Sequence, residues 1–181
     1  NNANLFDACK RAHVLEPGLV NALKEDLEKI VPLQSVLNQD FIAANQEDRV
    51  NNVFTGSNQE CIDKIRKDIR DMKERVDQVV ILWTANTEMF LLPQIENVEE
   101  LKTRIDRSTS LPSSVLFCVA AIEEQVLYLN GSPQNTFHPG IVTYAKEKGG
   151  FIAGSDFKSG QTRFKTIMSD YLIGSGIRLA S

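Results

Sequence analysis

The stretch from Tyr128 to Thr162, YLNGSPQNTFHPGIVTYAKEKGGFIAGSDFKSGQT, limits the possible folds more than any other part of the chain. A short apolar run, Leu127–Leu129, gives way to the polar loop Asn130–Thr136. A helix pattern from Pro139 to Gly149 follows. A second apolar run, Phe151–Ala153, then gives way to a second polar loop, Gly154–Thr162. Strand, polar loop and helix in repetition build a parallel α/β sheet. Its crossovers are right-handed. Ligands of such sheets sit outside the carboxyl ends of the strands, where both loops lie. The loops are rich in hydrogen-bonding groups and poor in bulk, which suits a polar ligand.

The rest of the chain extends this grammar. Asn4 to Val14 reads as a short helix, and Pro17 opens another whose Leu19, Val20, Leu23, Leu27 and Ile30 recur at helical spacing until Pro32. In FIAANQEDRVNN, from Phe41 to Asn52, Phe41–Ala44 reads either as a strand or as part of a solvated loop. Ser57 with Glu60 three residues later is a capping box. The helix it opens carries the apolar stripe Ile62, Ile65, Ile69 and Met72, read as packing against a sheet. Val79–Trp83 is continuously β-prone, as for a central parallel strand covered on both faces. It ends in a third polar loop, Thr84–Glu88. Asn97 with Glu100 caps the next helix, which runs to about Arg107. Ser113 and Ser114 open another, apolar nearly all round from Val115 to Glu124 and therefore buried. Ser159 and Gly160 start the last helix, which fades at Gly174–Gly176, and Ile177–Leu179 reads as a final strand.

Composition excludes several classes. A net charge of −4 and a pI near 5.3 lack the basic face that nucleic acid requires. No apolar run reaches the length of a membrane span, and no signal peptide opens the chain, so the expectation is no membrane and a cytoplasmic location. Cys9, Cys61 and Cys118 are odd in number and widely spaced, which suits a reducing compartment rather than a disulfide framework. Asn130-Gly131-Ser132 matches a glycosylation sequon, read as chance. His13 and His138 stand far apart without companions, so no metal-binding residue is expected. The chain opens on Asn-Asn-Ala-Asn without Met and reads as a piece of something longer.

Side by side at one sheet edge, the three loops would offer Asn86, Ser132, Gln134, Asn135, Asp156, Lys158, Ser159 and the amides of Gly154 and Gly160. Such a lining suits a ribose, a sugar or a phosphate. Ser159-Gly160 opens a helix whose free N–H groups can hold an anion, although Ser159 as a plain cap is compatible with this. Gly154-x-x-x-Lys158-Ser159 is not a P-loop, because no Gly directly precedes the Lys. No G-x-G-x-x-G occurs, so the segment lacks a dinucleotide loop of its own. Asp156 and Lys158 can also be read as an exposed ion pair.

Four motifs in order, FIAANQEDRVNN, ILWTANTE, LNGSPQNTFHPG and FIAGSDFKSGQT, resemble inositol-3-phosphate synthases of the eukaryotic type over the whole chain. The resemblance implies an α/β fold: a Rossmann-like, largely parallel sheet with helices on both faces. Residues 1–181 would be a partial NAD-binding domain whose last residues lead into the catalytic and tetramerising domain. It implies NAD-dependent isomerisation of glucose 6-phosphate to 1D-myo-inositol 3-phosphate, in inositol and hence phospholipid biosynthesis. In that family the sugar is oxidised at C5, enolised, closed by an intramolecular aldol step between C6 and C1, and re-reduced. The glycine-rich pyrophosphate loop would precede Asn1 and the catalytic lysines would follow Ser181, leaving the isolated segment inactive. A homotetramer is implied for the parent.

Residue by residue, the resemblance puts Ala44, Asn45 and Arg49 on the adenosine side of the NAD site and Thr84, Ala85 and Asn86 in a strand-end loop against the cofactor. Gly131 and Ser132 fall near the nicotinamide. Asp156 and Ser159 match a GDDxKS motif that lines both nicotinamide and substrate, and Lys158 shares the motif as a third catalytic candidate. Three departures stand out: Ser155 for the first Asp of that motif, Glu124 for a helix-ending Gly, and His138 for a small apolar residue. Two alternatives follow: another NAD-dependent sugar-phosphate oxidoreductase, or a non-catalytic member kept for NAD binding or assembly.

Overall fold

A computed structural model describes residues 4–44, 50, 52–157 and 160–178. Three short helices come first: α1 (Leu5–Ala12), α2 (Pro17–Ala22) and α3 (Lys24–Lys29). Asn4 caps α1 by accepting from the amide of Asp7 at 2.9 Å. The helix expected from Pro17 to Ile30 is two, because the backbone leaves helical geometry at Leu23. Phe6 and Val20 are the buried anchors of this group.

Next come β1 (Ser35–Val36), a 3-10 turn (Gln39–Phe41) and β2 (Val53–Phe54), with β1 and β2 paired in parallel. The strand reading of Phe41–Ala44 is corrected here. The Asn38 side chain accepts from the amide of Asp40 at 3.1 Å and winds the backbone into a turn that drives Phe41 inward. Pairing of two-residue strands rests on neighbours distant in sequence, so no local pattern announces it.

The capping box forms at the head of α4 (Asn58–Lys73): the amide of Glu60 donates to Ser57 Oγ, and the Glu60 carboxylate accepts from the amide of Ser57 at 2.7 Å. Ile62, Ile65 and Ile69 bury that helix's apolar stripe, chiefly against the helices at Val98–Asp106 and Ser113–Glu123 rather than against the sheet expected, while Met72 stays exposed at its end. The remaining elements are β3 (Val80–Trp83), α5 (Val98–Asp106), α6 (Ser113–Glu123), β4 (Leu127–Asn130), α7 (Pro139–Lys148), β5 (Ile152–Gly154) and α8 (Gly160–Gly174). Asn97 caps α5, accepting from the amide of Glu100 at 2.9 Å.

β3, β4 and β5 form one parallel sheet in that order, as expected for these three runs. Helix α6, between β3 and β4, is buried along nearly its whole length against α4, α7 and the sheet. Its Val115, Val119 and Ile122 join Ile62, Ile95, Leu101, Tyr128 and Ile141 in the core. The fold is α/β and Rossmann-like.

Two further expectations need correction. Val79–Trp83 was to be covered on both faces, but alternate residues of β3, Val80 and Leu82, are 49% and 51% exposed. Ile177–Leu179 was to be a strand, but Ile177 and Arg178 are not in one, and Leu179 lies outside the described residues. Gly176, at φ 73°, ends the preceding helix, and the Ile177 amide donates back to the carbonyl of Leu172 at 2.9 Å. That bond uses the donor a strand ladder would need.

Candidate functional site

The parallel register aligns Trp83, Asn130 and Gly154, so the three strands end level. Their loops are bonded to one another. The Gly131 amide donates to the carbonyl of Trp83 at 2.8 Å, and the Phe157 amide donates to the carbonyl of Gly131 at 3.1 Å. Ser132 Oγ donates to the carbonyl of Ala85 at 2.5 Å. Asn130, buried at the strand end, shapes the middle loop from within: its Oδ1 accepts from the amide of Ser132 at 3.1 Å and its Nδ2 donates to the carbonyl of Gln134 at 3.0 Å.

Two glycines permit this close approach. A Cβ on Gly154 would stand 2.3 Å from the Asn130 carbonyl oxygen, and its φ of 104° disfavours any side chain. A Cβ on Gly131 would fall 2.5 Å from the Phe157 ring. Asp156 takes a left-handed φ of 68°, which aspartate tolerates better than most residues.

Thr84, Ala85, Asn86, Gly131, Ser132 and Asp156 are thus gathered on one edge, with Ser132 buried and Thr84–Asn86 and Asp156 exposed. Ala44 is exposed, two residues beyond Ile42, which faces the same cleft as Ala85 and Asn86. Asn45, Arg49, Lys158 and Ser159 lie outside the described residues.

The cleft, of about 210 Å³, lies between the end of β1 and the end of β3. Val36, Ile42, Val50 and Trp83 give it apolar walls, and Asn86, Glu88 and Ser113 give it polar ones. A larger cleft of about 570 Å³ along β1 and β2 holds no residue of the three loops. There Asn38, Asp40 and Ser110 are engaged with one another, Nδ2 of Asn38 donating to Ser110 and Ser110 to Asp40.

Sequence reasoning assigned no role to Glu88, and the structure gives it one. Its carboxylate is 6% exposed and accepts from the Ser114 amide at 3.2 and 3.3 Å. It thereby caps α6 from outside the helix, whose own preceding residue, Pro112, has no capping side chain. Burial pushes the Glu88 carboxyl above its ordinary range, against the pull of its bonds to Ser114 and Ser113. The only sequence signal was a carboxylate at the end of a polar loop.

The three departures fall in different places. Ser155 is exposed on the loop after β5. His138 is fully buried at the head of α7. Glu124 sits at the far end of α6 from Glu88, receiving Arg66 Nε at 2.8 Å and an Arg70 amino group at 2.6 Å. Burial alone would raise its carboxyl, but Arg70 and Arg66 hold it below the ordinary range.

Parallel strands that end level beneath three cross-bonded polar loops, beside a cleft with an apolar wall, define a nucleotide-binding α/β domain of Rossmann type. The NAD-binding family model described as myo-inositol-1-phosphate synthase matches residues 1–181, and the chain belongs to that family. It is 49% identical to the inositol-3-phosphate synthase of Dictyostelium discoideum over 100% of this chain and 37% of that protein. Against that of Drosophila melanogaster it is 47% identical over 98% of this chain and 33% of that protein. The crystal structure of inositol-3-phosphate synthase from Caenorhabditis elegans superposes with a TM-score of 0.89 at 42% identity, over 97% of this chain and 36% of that one. The chain therefore spans a little over a third of the length of most of these relatives.

Proposed function

We propose that these residues form the NAD-binding portion of an enzyme that converts glucose 6-phosphate to 1D-myo-inositol 3-phosphate. The observation that carries this reading is the bonded row Trp83–Gly131–Phe157 and Ala85–Ser132, which unites three family motifs at one sheet edge. The edge fits part of a dinucleotide. The apolar wall of the cleft suits a flat heterocycle, Asn86 suits a ribose hydroxyl, and Gly131 and Gly154 keep side chains from filling the ledge. NAD, when bound, accepts a hydride and returns it, so the isomerisation has no net redox change.

In this reading Thr84, Ala85 and Asn86 position the cofactor from the end of β3, and Gly131 and Ser132 support its reactive end. Ser132 acts by orientation, because its hydroxyl proton is committed to the Ala85 carbonyl. Asp156 holds a carboxylate at the mouth of the site, where it orients substrate hydroxyls, with Ser159 and Lys158 completing the motif. Ala44, Asn45 and Arg49 serve the adenosine side.

The two parallel sheets are, in this reading, flanks of one. Val36 and Trp83 face a common cleft between β1 and β3. A central strand contributed from outside residues 1–181 would join β1 to β3 and bring the pyrophosphate loop to the same edge. The residues after α8 would lead into a catalytic and tetramerising domain, and the enzyme would work in the cytoplasm.

Incubating full-length protein with glucose 6-phosphate and NAD tests the reading. Inositol phosphate accumulating without stoichiometric NADH is expected. NADH accumulating with an oxidised sugar would instead make the protein a dehydrogenase, and NAD binding without turnover would make it a non-catalytic member. Light scattering of the same sample reports whether it is a tetramer.

A further inference from the structure

Between β4 and α7, burial alternates along the chain. Gln134, Thr136 and His138 are 7%, 0% and 0% exposed, while Asn135 and Phe137 are less buried. All three inward residues carry polar side chains. Gln134 Oε1 and Nε2 and both ring nitrogens of His138 have no hydrogen-bond partner among the described residues. Thr136 Oγ1 meets none in hydrogen-bonding geometry either, although the Tyr128 phenol, which donates to the Ser114 carbonyl at 3.2 Å, lies beside it. Five buried polar atoms are thus gathered within five residues of chain.

Leaving a buried donor or acceptor unmet is costly. Five such atoms would consume much of a domain's small net stability. A molecule that meets them must match their chemistry. Gln134 offers one donor group and one acceptor, Thr136 offers both on one oxygen, and neutral His138 offers one of each. An anion would find no positive charge in this set. A hard cation takes about six or more oxygen ligands, and the three side chains supply two oxygens. An apolar molecule would leave every atom unmet. Water, always present and small, both donates and accepts.

We propose that Gln134, Thr136 and His138 enclose a buried water site behind the loop after β4. At about three hydrogen bonds per buried water, the five atoms suit about two molecules. The site lies behind the candidate cofactor edge: the carbonyl of Gln134 is the acceptor that Asn130 Nδ2 holds at 3.0 Å. At its other end the Phe90 ring closes on His138 in an edge-on contact, with ring centroids 6.5 Å apart.

Oxygen-17 relaxation dispersion on the full-length protein counts long-lived internal waters. Gln134→Leu and His138→Leu should each lower the count relative to the unaltered protein, and an unchanged count in both would overturn the proposal. Should the leucine variants not fold, a high-resolution crystal structure of the unaltered protein decides the matter. Water density within hydrogen-bonding distance of Gln134 and His138 supports the site. Direct protein partners for those atoms, or a metal ion among them, would overturn it. Both readouts are independent of NAD binding and turnover, so the proposed activity can fail while this stands.

Discussion

Ser132 Oγ donates to the carbonyl oxygen of Ala85 at 2.5 Å, fastening the loop after β4 to the loop after β3 through a side chain that is 4% exposed. Ser132→Ala leaves that carbonyl without its donor. A loss of about 1–3 kcal/mol is expected. Because the bond joins two loops of the proposed cofactor edge, NAD affinity of the full-length enzyme should fall with it. Urea unfolding and calorimetric titration of the same variant check both. An unchanged NAD affinity would detach this bond from the site.

The two close-approach glycines should differ in tolerance. At Gly131 an added methyl meets the ring of Phe157, a half-exposed side chain that can swing away. At Gly154 it meets the main-chain oxygen of Asn130, which is held in the sheet, at a φ that already disfavours alanine. Gly154→Ala should cost about 3 kcal/mol or more, and Gly131→Ala clearly less. Thermal melts of the pair give the ranking.

His138 makes stability depend on pH. Burial first, and then Arg104, hold its imidazole below the ordinary range, with Glu100 opposing. In the unfolded chain it titrates near about 6.5. Because the folded value is the lower one, the unfolded state takes up the proton first as pH falls. The stability is intact above about pH 6.5 and is lost as pH drops through that value toward the folded one. Urea midpoints measured on both sides of about pH 6.5 should therefore differ less in His138→Leu than in the unaltered protein.

Glu124 is a structural hub and lies far from the loops. Glu124→Gly removes the shared acceptor of Arg66 and Arg70 at the end of α6. Arg70 is more than half exposed and rehydrates, so the expected loss is moderate, about 1–2 kcal/mol. Turnover of the full-length enzyme should not change. A fall in kcat with an unaltered melting temperature would contradict this.

Asp156→Asn should do the reverse. The side chain is exposed on the loop after β5, so the fold should tolerate the loss of charge. If its carboxylate orients the sugar, turnover should drop by roughly 10²- to 10⁴-fold. If it serves only as a surface ion-pair partner, the effect is at most about 1 kcal/mol of stability and none on rate. Steady-state kinetics beside a melting curve separates the two.

What could be read in advance was local. Ser57 with Glu60 and Asn97 with Glu100 formed the caps their spacing predicts, since a cap needs only its own first turn. The runs at Val80, Leu127 and Ile152 became parallel strands because the helices between them leave one handedness of return. What escaped was non-local. The pairing of Ser35–Val36 with Val53–Phe54 crosses a long loop, and the capping of α6 by Glu88 joins residues 26 apart in sequence. The reading of Ile177–Leu179 failed because β-prone composition says nothing about a donor already spent on the turn before it. Within the site, residue types were legible, but the bonds between loops were not.

The level ending of the strands has a consequence for how chains of this kind can change length. Trp83, Asn130 and Gly154 stand abreast, and each neighbouring residue faces the opposite side of the sheet. Deleting one residue from β4 would turn Leu127 and Leu129 into the core in place of Tyr128 and Asn130, and the middle loop would lose its internal brace. Insertions and deletions accumulated in evolution should therefore avoid the strands and collect where the chain turns at the opposite rim. Residues 74–78, between α4 and β3, are all exposed, and there the chain can gain or lose a residue without disturbing the row.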